Sequence, residues 1–473
     1  METLRSSARV SPTAEVLSAT KAEALASRLA QAIERGQLPP GARLRSIRDC
    51  AAKEGLARNT VVEAYNRLVA RGWAEARPGS GYYVRPLAHA RSRPAPHVSE
   101  AVDVVSLLRE QLEQHYEVRV GDGRLPAAWL KSAGPVRMAH LRSGKASESV
   151  ANGYGSPWGY EPLRTTITRM LAERSIAADA RQVLLTQGAN HALDLIVRHL
   201  LQPGDAVLVD APGYYPLFGK LRLAKAAMRG VPRQSDGPDM EALARLAQTV
   251  RPKVFFTQSL GHNPTGGALS LPKAHRLLQL AAQHDFLVVE DDAFADLMPA
   301  TAPRLAALDQ LERVVYVSSF SKTLAAGLRI GYVAASPAIA AALCDLKMLT
   351  LVATSDLVER TVCQMLASGQ YRRHLAQLRT RLHEALPPAL KALSQAGLRV
   401  APPCPGSYYL WAELPAGTDE LALAREAAQA GIFIAPGRVF YPQRDATGLA
   451  PAMRVNIAYA ADGLFQRFMR GQR

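Results

Sequence analysis

The sequence is poor in cysteine and has no long apolar run. Its four cysteines, Cys50, Cys344, Cys363 and Cys404, have neither the pairing of a disulfide framework nor the short spacing of metal ligands. No segment approaches the roughly 18 consecutive apolar residues of a membrane span, and the N-terminus has no apolar signal core. We therefore expect a soluble protein of the reducing cytoplasm, with no metal site and no membrane partner.

Length and composition indicate a globular protein of more than one domain. The chain has 473 residues, of which 48% are hydrophobic and 21% are charged. These fractions are ordinary for globular proteins, and the length exceeds what one hydrophobic core usually organises. Two or three domains are therefore expected.

Positive charge is concentrated near the N-terminus. The net charge is +16, and residues 1–98 hold sixteen Lys and Arg against eight Asp and Glu. The other half of the net charge is spread over the remaining residues, at a much lower density. This distribution favours a polyanionic partner for the N-terminal region, although a basic surface that serves only solubility would carry the same sign.

The N-terminal region predicts an arm followed by a helix. Residues 1–20 are polar and small without clear periodicity, which is typical of an arm. Apolar residues recur at helical spacing over 21–35, with Ala24 and Leu25 among those on the expected inner face, and Gly36 is a plausible C-terminal cap.

Two short helices and a hairpin are expected next. Ser46 is a good N-cap for the first helix, and Gly55 ends it; the second helix, over 59–71, should place Val62 inward. A glycine-rich turn then separates two strand-like segments, which predicts a hairpin. A hairpin behind a helix-turn-helix makes residues 21–85 an N-terminal winged helix-turn-helix of α+β class.

The chemistry of this region suits double-stranded DNA. A helix-turn-helix brings the leading ends of its second and third helices to phosphates and base edges, where arginine and small polar side chains make the contacts. A glycine-rich wing tip lets backbone amides approach a second phosphate. The candidate DNA contacts are Arg45, Ser46, Arg48, Arg58, Asn59 and Thr60 at the helix starts, and Gly79, Ser80 and Gly81 at the wing tip.

The run over 39–84 resembles the winged helix of GntR-type regulators, including the spacing from the Pro-Gly turn to the Gly-Ser-Gly turn. Arg45 stands where that pattern often has proline, and Ala57 where it often has serine.

Residues 86–104 contain three prolines without apolar periodicity and predict a linker. Beyond it, short apolar runs alternate with helical stretches, which predicts a mainly parallel α/β sheet over 105–370 that is covered on both faces. From 371 to 473 a long amphipathic helix precedes strand candidates over 408–413, 433–435 and 453–457. This pattern predicts a smaller α+β C-terminal subdomain.

Several motifs of the large domain suit pyridoxal 5′-phosphate. That cofactor needs an amine, an acid at its ring nitrogen, donors for its phosphate and a face for ring stacking. Lys322 closes a Ser-Phe-Ser-Lys loop after a predicted strand, where burial would favour the neutral amine. The remaining candidates also follow predicted strands, where open α/β sheets bind ligands: Gly188, Ala189 and Asn190 at a helix start, Tyr214, Asn263 and Asp291.

Residues 105–470 resemble fold-type I aminotransferases in the order of these motifs. The resemblance implies that Lys322 forms the internal aldimine, that Asp291 pairs with the pyridine nitrogen, that Tyr214 stacks on the ring and that Asn263 binds the phenol oxygen. It further implies that Ser319, Ser321 and Arg329 bind the phosphate, that Tyr154 serves a neighbouring subunit's site in a homodimer, and that Arg454 holds a substrate or effector carboxylate in bidentate fashion.

One position departs from the aminotransferase pattern. Where the family commonly has a tyrosine that bonds the cofactor's phenol oxygen, three residues after Asp291, this chain has Phe294. The departure implies that Asn263 is the main remaining partner of that oxygen and that the aldimine pKa is raised.

A winged helix joined to an aminotransferase-like domain is the architecture of MocR-type regulators within the GntR family. The resemblance implies a regulator in which an amino acid or related amine reacts at Lys322 and alters promoter binding. Two alternatives stay open: a working pyridoxal-phosphate-dependent aminotransferase with an accessory DNA-binding domain, and a sensor of the cofactor itself.

Overall fold

The computed structural model describes residues 21–34, 37–77, 79–85, 104–113, 115–130, 154–443 and 448–472. The predicted arm, the Gly36 cap and most of the predicted linker lie outside these residues. The chain divides into two compact units, residues 1–96 and 97–473, and this boundary falls inside the range predicted as linker. No helix among the described residues is long and apolar enough to cross a membrane.

The first unit has three helices and a two-stranded antiparallel sheet. Ser46 caps the second helix as predicted, because its Oγ accepts a hydrogen bond from the Asp49 amide at 3.1 Å. Gly55 ends that helix in the left-handed region with a φ of 63°. The elements are α1 (Lys21–Glu34), α2 (Ile47–Glu54), α3 (Arg58–Ala70), β1 (Ala74–Arg77) and β2 (Gly81–Val84).

The inner faces of α1 and α3 differ from the prediction by a residue. Val61 is fully buried in α3 and Val62 is only half-buried, while Ala24 of α1 is exposed. Val61 and Tyr65 are one helical turn apart on the face that packs against α1. The predicted face is therefore wrong at Val62 and Ala24.

The second unit is built on an eight-stranded sheet. Its order is β3-β10-β9-β8-β7-β4-β5-β6, in which the five central strands from β9 to β5 are parallel and β10 runs antiparallel to both neighbours. The strands are β3 (Val183–Thr186), β4 (Ala206–Ala211), β5 (Ala227–Gln234), β6 (Gly237–Pro238), β7 (Val254–Thr257), β8 (Leu287–Asp291), β9 (Val314–Ser319) and β10 (Gly331–Ala334).

Helices cover this sheet, in which β7, β9 and β10 are buried along their whole length. Two separate apolar clusters flank the sheet, because alternate side chains of each strand point to opposite faces. The helices are α4 (Val104–Glu113), α5 (Ala127–Leu130), α6 (Glu161–Ala172), α7 (Ala189–Leu200), α8 (Tyr215–Leu223), α9 (Met240–Val250), α10 (Leu271–Gln283), α11 (Leu305–Asp309), α12 (Pro337–Leu351) and α13 (Asp356–Ala367).

The C-terminal part forms a second, smaller antiparallel sheet in the order β11-β12-β14-β13. The elements are α14 (Gln370–Gln395), β11 (Arg399–Val400), β12 (Tyr409–Glu413), α15 (Glu420–Gln429), β13 (Ala435–Pro436), β14 (Ala452–Asn456), α16 (Ile457–Ala460) and α17 (Gly463–Gly471). The strand predicted to end at Ile457 ends one residue earlier, since the Asn456 side chain accepts from the Ala458 amide and starts α16.

An N-terminal segment of the second unit joins the small sheet. The Phe433 amide donates to the Val118 carbonyl and the Asn456 amide to the Val120 carbonyl, both at 2.8 Å. Residues 118–121 therefore pair with the small sheet, although they lie within the range 105–370 that was predicted for the large domain. Of the strand predicted over 433–435, only Ala435 lies in β13, because Phe433 pairs with the segment 118–121 and not with β14.

Gly331 lets β10 approach the turn before α7. A Cβ on Gly331 would lie 2.6 Å from the Gly188 carbonyl carbon and 2.8 Å from the Ala189 nitrogen, whereas a Cβ on Gly327 would meet nothing within 4 Å. Gly331→Ala must push backbone against backbone, so we expect it to destabilise the second unit by about 1–3 kcal/mol.

Calorimetric unfolding of the full chain measures this effect as a lower Tm of the second unit's transition. The matched variant Gly327→Ala should stay within about 0.5 kcal/mol of the parent. Equal stability of the two variants would contradict the close approach.

Candidate functional site

The candidate site lies at the carboxyl edge of the large sheet. The parallel strands β4, β7, β8 and β9 end at this edge. Asp291 ends β8, and Tyr214, Asn263 and Lys322 lie in the loops that follow the other three strands. Loops at this edge of an open α/β sheet commonly form ligand sites. The small sheet contacts this edge too, because Arg454 of β14 donates a hydrogen bond to Asn263.

Lys322 lies between the two sheets. Its Nζ donates a hydrogen bond to the Gly123 carbonyl at 2.6 Å. Burial lowers the pKa of the Lys322 amine to about 8, and the positive charges of Arg454, Arg124 and Arg329 act in the same direction against Asp122. A much larger share of this amine is neutral, and hence nucleophilic, at neutral pH than of an ordinary lysine.

Asp291 offers an acceptor that no described residue satisfies. Its Oδ2 accepts a hydrogen bond from the Gln258 side-chain amide at 3.0 Å, whereas its Oδ1 is buried without a partner among the described residues. Burial, together with the neighbouring carboxylate of Asp292, raises the pKa of Asp291 to about 7. A protonated ring nitrogen at Oδ1 would satisfy the acceptor and stabilise the carboxylate.

Arg454 and Asn263 are joined across the two sheets. An Arg454 terminal nitrogen donates to Asn263 Oδ1 at 2.9 Å, and the other donates to the Gly121 carbonyl at 2.6 Å. The guanidinium stacks on the Tyr409 and Phe440 rings at 4.7 and 5.1 Å. Its Nε is buried without a partner in the described part of the chain. These contacts hold the guanidinium rigidly and leave Nε for an incoming acceptor.

A second group of predicted residues surrounds the start of α7. Gly188 precedes α7 with a φ of 76°, and a Cβ there would lie 2.7 Å from an Arg329 terminal nitrogen. Arg329 donates to the Gln187 carbonyl at 3.0 Å and to Ser321 Oγ at 3.2 Å. Ser319 Oγ accepts from the Ser321 amide at 3.0 Å.

This arrangement suits a phosphate. The first amides of a helix, here those of Ala189 and Asn190, have no partner within the helix, and the helix dipole favours an anion there. The serine hydroxyls and Arg329 add donors on the other side. The structure therefore brings together all six residues predicted to bind the phosphate within this chain: Gly188, Ala189, Asn190, Ser319, Ser321 and Arg329.

The two predicted tyrosines lie in different surroundings. Tyr214 precedes α8 and lines a small cavity together with Asp291 and His262. Burial raises the pKa of the Tyr214 phenol, and the nearby Asp291 adds to the effect. Tyr154 is 90% exposed and does not join the other predicted residues within this chain.

Sequence reasoning missed Gln258, which connects two predicted ligands. Its side-chain carbonyl accepts from the Asn263 amide at 2.8 Å, and its side-chain amide holds Asp291. Its position directly after β7 was the available signal, because the other candidates also follow strands. Gly123, Tyr408 and Tyr409 were missed too, and nothing in their local sequence points to Lys322.

The first unit has arginines of two kinds. Arg28, Arg67, Arg71, Arg77 and Arg85 form ion pairs with glutamates. Arg45, Arg48 and Arg58 are exposed and form no ion pair with any described residue. These three lie beside or at the starts of α2 and α3, so their positive charge is available to an external anion.

The other predicted DNA contacts lie at the same two helix starts and at the hairpin turn. Ser46 and Asn59 are exposed and Thr60 is half-buried. At the wing tip Gly79 is exposed, Gly81 is half-buried with a φ of 108°, and Ser80 Oγ lies 2.7 Å from the Tyr83 hydroxyl. The predicted contacts therefore fall at the two helix starts and the hairpin turn.

Two protein families match the two units of the chain. Residues 21–84 match the family described as bacterial regulatory proteins, gntR family. Residues 120–468 match the family described as aminotransferase class I and II. The second match spans more than half of the chain.

One relative matches nearly the whole chain. The chain is 31% identical to the HTH-type transcriptional regulator YdcR of Escherichia coli over 432 residues, which cover 89% of this chain and 92% of that protein.

Solved structures resemble the larger part of the chain. Pyrococcus horikoshii kynurenine aminotransferase, in complex with PMP, is 26% identical with a TM-score of 0.68, covering 78% of this chain and 94% of its own. Thermus thermophilus LysN, an alpha-aminoadipate aminotransferase complexed with N-(5′-phosphopyridoxyl)-L-leucine, is 28% identical with a TM-score of 0.67, covering 77% and 94%. The chain therefore belongs to the aminotransferase class I and II family and joins to that fold an N-terminal helix-turn-helix of the gntR family, which is the MocR-type architecture.

Proposed function

We propose that this protein is a DNA-binding transcriptional regulator that carries pyridoxal 5′-phosphate on Lys322 and changes its promoter binding when an amino compound reacts there. The observation that carries the proposal is a combination within one chain. In one unit, Lys322 has a lowered pKa and interacts electrostatically with Asp291, whose Oδ1 has no partner among the described residues. The other unit presents, at its helix starts, arginines that form no ion pair with a described residue. We propose that the protein acts in the cytoplasm, where its DNA partner is found.

The residues at the sheet edge fit the cofactor. Asp291 would hold the ring nitrogen, Asn263 the phenol oxygen, and Tyr214 one face of the ring. The cradle of Gly188, Ala189, Asn190, Ser319, Ser321 and Arg329 would hold the phosphate. When bound, the cofactor supplies an electrophilic carbon that reacts with amines and a ring that accepts electrons.

The effector that the site fits is an amino compound with a carboxylate. Arg454 is buried and stacks on two rings, and its Nε has no partner among the described residues, so an anionic group would find a rigid donor. The Arg454 bond to Asn263 connects the carboxylate position to the residue assigned to the phenol oxygen. An effector that binds at Arg454 can thus alter contacts at the ring.

A homodimer with shared sites completes the proposal. Tyr154 and Leu349 are 90% and 85% exposed, so the single chain leaves both side chains uncovered. Tyr154 would reach the cofactor phosphate of a second copy. Reaction at Lys322 would then change the geometry of the dimer and with it the spacing of the two winged helices on their half-sites.

Two other functions use the same residues. An aminotransferase would turn over an amino donor and a keto acid steadily, which the neutral amine of Lys322 and the clamp of Arg454 would permit. A sensor of the cofactor would respond to pyridoxal 5′-phosphate without any amine. Steady turnover with no promoter binding favours the enzyme, and promoter binding that depends on the cofactor alone favours the sensor.

Attachment of the cofactor can be mapped without a substitution. We expect borohydride reduction of the holoprotein, followed by digestion and mass spectrometry, to place the reduced cofactor on the peptide with Lys322. Lys347 is the internal control, because burial lowers its pKa to about 8 as well, yet its Nζ is engaged by the Pro157 and Leu185 carbonyls. Label on Lys347, or on any peptide without Lys322, would contradict the assignment.

DNA binding can be tested within one helix. Arg58→Ala should weaken operator binding by about 1–3 kcal/mol if the side chain reaches a base edge, or flatten the salt dependence if it touches only phosphate. Arg67→Ala is the matched control, since Arg67 lies on the same helix but pairs with Glu23 and Glu63. Gel-shift titrations that show the same affinity for Arg58→Ala and the parent protein at every salt concentration would refute the predicted contact.

Effector recognition should separate from DNA binding. Arg454→Ala is expected to leave operator affinity without effector unchanged, while it abolishes the absorbance change and the DNA response on adding carboxylate-bearing amines. Arg438→Ala, an exposed arginine on the turn before Phe440, should respond as the parent protein does. A full response of Arg454→Ala to such an amine would remove Arg454 from the effector site.

A further inference from the structure

Two adjacent buried tyrosines lie at the site without a role in the proposed function. Tyr408 and Tyr409 precede and begin β12, and their ring centroids are 4.5 Å apart. Phe294 packs edge-on against both rings, with centroid distances of 5.2 and 5.6 Å. The position that lacks the hydroxyl expected from the aminotransferase pattern is therefore in contact with two side chains that have one.

Both hydroxyls donate hydrogen bonds to the Gly123 carbonyl, which is also the acceptor for Lys322. The Tyr409 hydroxyl donates to the Gly123 carbonyl at 2.9 Å and the Tyr408 hydroxyl at 3.3 Å, while Lys322 Nζ donates to the same oxygen at 2.6 Å. A carbonyl oxygen has two lone pairs, so three donors compete for it. Because they share one acceptor, each hydroxyl lies within two hydrogen-bond lengths of the lysine nitrogen. A hydroxyl that no longer donates to the Gly123 carbonyl can donate to another acceptor near that nitrogen.

Tyr409 is the better placed of the two. Alternate residues of a strand share a face, which puts Tyr409 with Trp411, and the partner strand contributes Arg454 to the same face. Arg454 stacks on the Tyr409 ring and also bonds Asn263. Tyr409 thus belongs to the group of side chains that surrounds the cofactor's predicted phenol oxygen, whereas the Tyr408 hydroxyl makes the longer bond to Gly123 and a 3.4 Å hydrogen bond with the Tyr409 hydroxyl.

We propose that Tyr409 supplies the hydroxyl that residue 294 lacks, and that it donates a hydrogen bond to the phenol oxygen of the cofactor held on Lys322. This inference rests on the proposed attachment at Lys322. It replaces the expectation that Asn263 alone is the main partner of that oxygen. In this arrangement the hydroxyl comes from β12 of the small sheet, and the Phe294 ring, which packs edge-on against Tyr409, carries none.

A spectroscopic pH titration of the full-length holoprotein tests the proposal. A donor to the anionic phenol oxygen weakens its hold on the protonated lysine–cofactor linkage, so Tyr409→Phe should raise the apparent pKa of the chromophore by about one unit, the size of one neutral hydrogen bond. Charged groups that also act on Lys322 are Asp122, Asp291, Arg124, Arg329 and Arg454, and all of them are unchanged in this variant.

The matched control and the rescue use the neighbouring rings. Tyr408→Phe removes an equally buried hydroxyl and should titrate as the parent protein does. Phe294→Tyr in the Tyr409→Phe background should return the pKa to the parent value, because a hydroxyl is then restored on the adjoining ring. Phe294→Tyr alone should shift the pKa by much less than one unit, which keeps the test available if Tyr409→Phe unfolds.

Several results would overturn the proposal. These are an unchanged pKa in Tyr409→Phe, equal shifts in Tyr408→Phe and Tyr409→Phe, a shift that Phe294→Tyr does not reverse, or a full-unit fall in Phe294→Tyr alone. A parent protein with no lysine-linked chromophore contradicts the proposed function itself, whereas a normal chromophore that titrates identically in all variants contradicts only the role of Tyr409.

Discussion

Ionisable side chains held away from water at one edge of the large sheet determine the chemistry of the second unit. Burial lowers the pKa of Lys322 to about 8 and raises that of Asp291 to about 7, so both groups change protonation near neutral pH. Neither shift would survive in a solvated loop. The site therefore depends on whatever keeps water out, which is the small sheet and the N-terminal segment that extends it.

Three distant stretches of chain have to meet for this to happen. Gly121 and Gly123 come from the segment beside the small sheet and receive hydrogen bonds from Arg454 and Lys322. Asn263 of the large part bonds Arg454 of the small sheet. A shift of the small sheet, with this segment, relative to the large sheet would break the Lys322–Gly123 and Arg454–Asn263 bonds together. Binding at Arg454 can therefore change the hydrogen bonding of Lys322 without any further connecting element.

Much of this organisation could be predicted from the sequence, because local signals determine it. The Ser46 cap, the central strands and the Lys322 loop depend on residues within a few positions of each other. The contacts of Gly123, Gln258 and Tyr409 join segments far apart in the chain, and no local pattern encodes them. The burial of Val61 instead of Val62 has a similar origin, since packing against α1, and not helical periodicity alone, decides which face turns inward.

In the proposed function, one chain couples an amino compound at Lys322 to DNA at the winged helix. Coupling between two binding sites is reciprocal by thermodynamic necessity, so operator DNA must change the affinity for the effector by the same factor as the effector changes the affinity for DNA. The direct measurement is a titration of the holoprotein with an amino acid, followed by chromophore absorbance, with saturating operator DNA and with none. We expect an effector affinity that differs between the two titrations by the factor found in gel shifts. Identical effector affinities, in a protein that binds both ligands, would contradict it.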